Sequence, residues 1–362
     1  MQKPDYNNSI MSITNSILRH YGALPHHTTL PILDGLLAKN YKNVIFLLMD
    51  GMGMNILERN LPESAFLRRN IKSEISSVFP PTTTAATASA LTGKTPAEHG
   101  WLGWSCYFKE VDKCVDLFSN RESGTANPAS EEHQAYSLLP YDNVLKTLGE
   151  NVRTHAVWPF SNNPANTMDE VCSQLKDLCA EDGRKFIYAY HYQPDSAMHE
   201  LGIGHERVKE MLKSFDKQLK ELADSLSDTL FIITADHGMS DTATKSIEDF
   251  PQISEALIRR VCVEPRCCSL YVKDEHKKDF PEFFADALGD KFILLSHDEF
   301  LESGLLGDGV RHPKIDEFVG DFVAVATADI MLWNEGEYGD LNAGHAGLTK
   351  QELVIPLIII ES

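Results

Sequence analysis

Four short runs of this chain are apolar almost without interruption: Val44–Met49, Phe186–Tyr190, Leu230–Thr234 and Val354–Ile360. A strand with one wet face alternates apolar with polar residues. A continuous apolar run of this length is therefore a strand covered on both faces. The segments between the runs supply the covering helices. Ile10, Ile13, Ile17 and Leu18 recur at helical spacing within 9–20, and residues 84–91 are alanine-rich. Val208, Leu212, Phe215, Leu219 and Leu222 mark one face of 206–226. Strands alternating with helices predict an α/β fold with a mostly parallel central sheet flanked by helices.

Two segments break this alternation. Residues 101–127 are rich in aromatic and polar side chains and predict a hairpin or lid. Residues 262–333 carry a strand–helix–strand–helix–strand character of their own. They predict a small α+β subdomain, inserted before the last core strand and placed to act as a cap. The expected division is a core of 1–261 with 334–362, and an insertion of 262–333, which a chain of 362 residues can accommodate.

Charge narrows the partners. Asp and Glu total 53 against 33 Lys and Arg, a net charge of −20. Such a field repels nucleic-acid polymers and anionic membranes, so neither is an expected partner. A small phosphorylated substrate stays open, because bound divalent cations reverse the sign locally. The seven cysteines form no CxxC pair. Mostly reduced thiols, and no apolar leader in Met1–Asp5, give a cytoplasmic expectation.

Open α/β sheets bind ligands at the carboxyl ends of their strands. Asp50 ends the first apolar run; alone it reads as a helix cap before it reads as a ligand. Gly51 and Gly53 beside it lack the third glycine of a dinucleotide fingerprint, since Ile56 stands there. Pro80-Pro81-Thr82-Thr83-Thr84 opens the alanine-rich helix, where a hydroxyl caps the helix or meets a phosphoryl group at the helix N-terminus. Asp195 and His199 are four apart and share one face if helical. Asp236-His237-Gly238 follows the third run, and a turn has little structural need for that His. His345 lies between small residues, which permits close backbone approach and fixes no role by itself.

Together these pieces resemble the alkaline phosphatase superfamily, and within it the type I phosphodiesterase / nucleotide pyrophosphatase branch. The matching motifs are Leu48-Met49-Asp50-Gly51, the Phe79-to-Gly93 segment with its threonines, Pro194-Asp195-x-x-x-His199-x-x-Gly202, Ala235-Asp236-His237-Gly238-Met239 and His345-x-Gly347. They stand in the family's order from Asp50 to Gly347. The resemblance implies an alkaline phosphatase-like fold and two divalent metal ions, Zn²⁺ or alternatively Mn²⁺. It implies Asp50, Asp236 and His237 as ligands of one ion, with the Thr83 oxygen, and Asp195, His199 and His345 as ligands of the other.

Thr83 would be the nucleophile of a phosphodiesterase, passing through a phospho-threonine. Counting back from Thr92-Gly93 selects Thr83, with Thr82 and Thr84 as one-residue shifts. Ala86 replaces the Asn that the nucleotide-cleaving members carry, so nucleotide specificity is not carried over. A phosphomonoesterase or phosphonate hydrolase with the same site is the alternative. An inactive phospholigand-binding regulator is the non-enzyme alternative. A sulfatase is excluded, because 79–84 lacks a Cys-x-Pro-x-Arg pattern.

The remaining candidates are read blandly. His99, His191, His205, His297 and His312 are expected as surface or hydrogen-bonded histidines, and Arg266 and Lys94 as surface residues. Trp101, Trp104, Tyr107 and Phe108 are expected in core or lid packing. A stacking wall for an aromatic group is the sharper alternative for them.

Overall fold

The computed structural model describes residues 3–334, 336 and 341–362. Its strands, in chain order, are β1 (Asn43–Met49), β2 (Ile71–Ser76), β3 (Ser105–Phe108), β4 (Lys113–Asp116), β5 (Arg153–Val157), β6 (Lys185–His191), β7 (Thr229–Thr234) and β8 (Ser240–Asp241). They continue with β9 (Ala243–Ser246), β10 (Cys262–Glu264), β11 (Cys267–Leu270), β12 (Phe292–Ser296), β13 (Phe322–Ala326), β14 (Ile330–Trp333), β15 (Ala343–Gly344) and β16 (Val354–Glu361).

The larger sheet has the order β2-β16-β7-β1-β6-β5. Strands β1, β6 and β7 are buried along their whole length, as their apolar runs demand. They pair in parallel, as does β5 with β6. The fourth run, β16, is antiparallel to both neighbours, β7 and β2. Burial on both faces follows from lying inside a helix-covered sheet, and the apolar run carries no information on direction. The sheet remains mostly parallel. Helix Ile10–His20 packs on helix Thr83–Thr92, and helix Glu206–Ser225 on helix Met168–Ala180. The long helix buries Val208, Leu212, Phe215, Leu219 and Leu222, the face read from the sequence.

A second sheet has the order β12-β13-β11-β10-β3-β4 and is antiparallel throughout. Four of its strands come from 262–333 and two from the hairpin within 101–127. The smaller sheet is thus not confined to the inserted segment. Alternation sorts its side chains onto two faces. Val323 and Val325 join one apolar cluster, and Ala324 and Ala326 another. Cys114 of β4 and Cys262 of β10 are joined as a disulfide, and the other five cysteines form no disulfide. That bond removes part of the support for the cytoplasmic expectation. Among the described residues no helix is long and apolar enough to cross a membrane.

Two short pairings knit the halves together. β14 runs parallel to β9, and β15 antiparallel to β8. The second of these brings the segment just before His345 beside the turn that follows β7.

Candidate active site

Seven separated residues meet at the carboxyl end of the larger sheet. Asp50 follows β1, Asp195 and His199 follow β6, and Asp236 and His237 follow β7. Asp50 does not cap a helix: the next helix begins at Met54, with Gly53 as its cap. Asp195 and His199 lie in helix Asp195–Leu201, so the four-residue spacing does put them on one face. Their Oδ1 and Nε2 atoms are 3.4 Å apart.

The backbone here is tightly folded. Gly51 has φ +70, and a Cβ there would sit 3.0 Å from the Asp195 Cβ. At Gly238 a Cβ would lie 2.0 Å from the Gln351 carbonyl oxygen. The glycines that flank the two aspartates therefore let the site loops pack on their neighbours.

Each of the three histidines is fixed by its Nδ1. His237 Nδ1 meets the Gly238 carbonyl at 2.9 Å, His199 Nδ1 the Ala343 carbonyl at 2.8 Å, and His345 Nδ1 the Pro81 carbonyl at 3.2 Å. A carbonyl only accepts, so Nδ1 carries a hydrogen and Nε2 is the nitrogen left to bind an ion. All three Nε2 atoms lie close to site carboxylates. His237 Nε2 is 3.4 Å from Asp50 Oδ1 and 3.6 Å from Asp236 Oδ2. His345 Nε2 is 3.9 Å from Asp195 Oδ1.

Burial and crowding set the charge states. Desolvation, then the neighbouring Asp236 and Asp195, push the Asp50 carboxyl well above its ordinary range. Burial likewise raises Asp195. Burial, then His237 and His199, hold His345 well below the usual imidazole range. Two carboxyls that resist ionising, beside the His345 imidazole that resists protonation, favour an added positive charge. Asp195 Oδ1 and Asp236 Oδ2 are buried without a protein hydrogen-bond partner. This is a donor set that fits divalent metal ions.

Among the described residues, two groups have ligand atoms mutually within 4.8 Å: Asp195, His199 and His345, and Asp50, Asp195 and His237. The first has the membership the resemblance implied. In the second Asp195 stands where Asp236 was expected. Asp236 lies alongside, its Oδ1 accepting from the Gly51 and His237 amides at 2.9 Å each.

The three consecutive threonines have three different surroundings. Thr83 opens helix Thr83–Thr92. Its Oγ1 is 3.3 Å from Asp50 Oδ1 and 3.3 Å from His237 Nε2. Thr82 stands at the N-cap position but makes no side-chain cap; its hydroxyl donates to Glu264 at 2.5 Å. Thr84 Oγ1 is buried without a partner. Only the Thr83 hydroxyl faces the cluster, at a helix N-terminus whose free amides suit an anion. Ala86 is fully buried.

Several contributors were not read from the sequence. Tyr190, at the end of β6, donates its hydroxyl to Asp50 Oδ2. Glu264, on β10, accepts from Thr82 and from the Trp104 amide at 2.7 Å. Burial lifts its carboxyl to about 7. Arg266 is not a surface residue. It is fully buried against Glu352, with Nε–Oε1 at 2.7 Å and Nη2–Oε2 at 3.0 Å. Glu352 also takes the Gly347 amide at 2.7 Å, so the pair steadies the loop that carries His345. Lys94 is partly exposed, as expected.

His191 is neither on the surface nor hydrogen-bonded through Nδ1: it is buried and packs edge-on against Phe215. Of the four aromatics, Trp101 and Phe108 are core, and Tyr107 lies under Arg259. Trp104 lines the cavity above the cluster. This cavity has a volume of about 1000 Å³ and is floored by Asp50, Thr83, Asp195, His199 and His345.

The chain is similar to proteins of one known family. A sequence model of the type I phosphodiesterase / nucleotide pyrophosphatase family matches residues 44–174 and 132–342. No curated protein sequence matches the chain. Among solved structures, human ectonucleotide pyrophosphatase / phosphodiesterase 5 superposes with a TM-score of 0.66 at 14% identity, over 88% of this chain and 87% of that one. The murine protein, in complex with AMP, gives 0.64 at 15% identity over 87% of each chain. Phosphonoacetate hydrolase from Sinorhizobium meliloti, in complex with phosphonoacetate, gives 0.61 at 18% identity over 87% of this chain and 89% of that one. At these identities the likeness of structure speaks for the fold. With the family model spanning most of the sequence, the chain belongs to the type I phosphodiesterase / nucleotide pyrophosphatase family, metal-dependent hydrolases of phosphate esters within the alkaline phosphatase superfamily.

Proposed function

We propose that the protein is a phosphodiesterase in which Thr83 is the nucleophile and Asp50, Asp195, His199, Asp236, His237 and His345 hold two divalent ions, Zn²⁺ or alternatively Mn²⁺. The observation that carries this reading is the arrangement of the Thr83 hydroxyl. It faces Asp50 and His237, amid buried carboxylate oxygens that lack protein partners. Bound ions would supply Lewis-acid polarisation of the phosphoryl oxygens and favour the ionised hydroxyl.

The chain's own residues do the rest. Thr83 Oγ1 gives up its proton to solvent and attacks phosphorus in line with the departing ester oxygen, which leaves with the bonding electron pair and takes up a proton from solvent. Phospho-threonine remains. A water oxygen then attacks the same phosphorus, breaks its bond to Thr83 Oγ1 and restores the hydroxyl. Two inversions give net retention. The amides at the start of helix Thr83–Thr92 offer hydrogen bonds to the phosphoryl oxygens throughout. Tyr190 holds Asp50 in place.

The test is turnover of bis-(p-nitrophenyl) phosphate against p-nitrophenyl phosphate by the metal-loaded protein and its Thr83→Ala variant. The expected result is preference for the diester and a fall in kcat/KM of at least about 10³-fold in the variant. A Thr83→Ala protein that keeps its rate while retaining bound metal rejects Thr83 as nucleophile. Preference for the monoester by orders of magnitude rejects the diesterase reading in favour of a phosphomonoesterase.

A further inference from the structure

Five aromatic side chains are exposed among the described residues: Trp104, Phe118, Tyr136, Phe160 and Tyr192. All five line the one cavity that ends on the Asp50–Thr83 cluster. Exposed aromatics are scattered when they are incidental. Five at one mouth, with Phe160 82% exposed, form an apolar surface kept for a ligand. Trp158 and Tyr188 continue it inward, edge to face at 5.9 Å. Trp104 and Phe118 meet edge to face at 6.1 Å across the other wall.

The charged lining is as informative. No Lys or Arg lines the cavity among the described residues. The residues outside that description are Met1, Gln2, Glu335, Glu337, Tyr338, Gly339 and Asp340, and none of them is a Lys or Arg. Beyond the floor, the acidic group on the wall is the buried carboxyl of Glu264. A substrate with a second phosphate or a carboxylate would bring that anion into an apolar chamber with no cation to receive it.

We infer that the cavity selects esters of a single phosphoryl group whose other substituent is neutral and aromatic or apolar, and that it disfavours pyrophosphates and carboxylated phosphonates. This rests on the reading of the floor as a phosphoryl-transfer centre. The aromatic walls take the neutral substituent by stacking and burial, while the one anionic charge stays at the floor.

The experiment separates the two claims. Binding is read by quenching of intrinsic tryptophan fluorescence, since Trp104 and Trp158 line the cavity. The metal-loaded protein is titrated with phenylphosphonate and with phosphonoacetate. Phenylphosphonate is expected to bind at least about tenfold more tightly. Equal or tighter binding of phosphonoacetate overturns the inference, whether or not any ester is turned over.

Kinetics then use p-nitrophenyl phosphodiesters that differ only in the second substituent: phenyl, 2-carboxyethyl and choline. The phenyl ester is expected to show the highest kcat/KM. A lead for the carboxyethyl or the choline ester overturns the neutral assignment. Phe118→Lys should move the phenyl-to-carboxyethyl ratio toward the anion by about tenfold, and an unmoved ratio counts against the cavity wall as the selector. Failure of every ester to turn over, with phenylphosphonate still preferred, rejects the catalytic reading and leaves the binding selectivity standing.

Discussion

Glu264 sits where residue chemistry and stability meet. Its carboxyl is raised to about 7 by burial, so across the window from its ordinary 4.5 up to about 7 the folded state holds a proton that the unfolded state has lost. Its contribution to stability is therefore complete below about 4.5 and is lost as pH rises through about 7. In metal-free protein, Glu264→Gln should flatten the stability profile over that window by at most about 3 kcal/mol, while keeping an acceptor for Thr82 and Trp104. Urea unfolding at successive pH values checks this, and identical profiles for both proteins would refute it. The same residue shows what sequence could not reveal. Asp50, Asp195, His199, Asp236, His237 and His345 were proposed together because their motifs stand in one order along the chain; alone, only Asp236-His237-Gly238 favoured chemistry over structure. Glu264 and Tyr190 act through Thr82 and Asp50, far away in the chain, and a lone Glu or Tyr in a strand carries no local mark. Arg266 was misread for the same reason: its partner, Glu352, comes from another segment.

At the scale of elements, the apolar runs marked the strands and their burial but left direction open, which is why β16 emerged reversed. The hairpin in 101–127 was visible as a hairpin. Its use as two further strands of the second sheet was not, because β3 joins β10 through the pairing of Ser105 with Val263, far along the chain. Arg266, next to β11, and Glu352, just before β16, tie these two sheets together. Arg266 Nη1 also donates to the Ala328 and Ile330 carbonyls at 2.8 Å each, so its charge is fully engaged. Removing one partner leaves the other buried and uncompensated. Arg266→Met should cost about 3–5 kcal/mol, and adding Glu352→Gln should cost less than the sum of the single changes. Denaturant unfolding of the two single variants and the double variant measures that coupling. Strictly additive losses would show that the two side chains do not act as a pair.

Across the whole molecule, the site is the place where strand ends of the larger sheet meet the loop beyond β15. Metal ions held there would cross-link Asp50, Asp195 and Asp236 to His345, and so would couple affinity to both folding and pH. The direction follows from the site's own groups. Asp50 and Asp195 are raised by burial, so they keep to higher pH than ordinary carboxyls the protons that a ligand must give up. His345 is lowered, is already neutral, and contributes no such competition. Zinc binding should therefore release protons, tighten as pH rises, and release fewer protons at higher pH once the carboxyls have ionised. Calorimetric titration of metal-free protein with Zn²⁺, in two buffers of different ionisation enthalpy, counts those protons. Thermal unfolding supplies the second reading. Free metal at 100 times its dissociation constant should stabilise the fold by about 2.7 kcal/mol, and the rise in Tm at a fixed metal concentration should shrink as pH falls. The Asp50→Asn and Asp195→Asn variants should each release fewer protons and bind less tightly. Binding with no proton release at any pH, or a Tm that metal does not move, would mean that these carboxyls do not take up the ion.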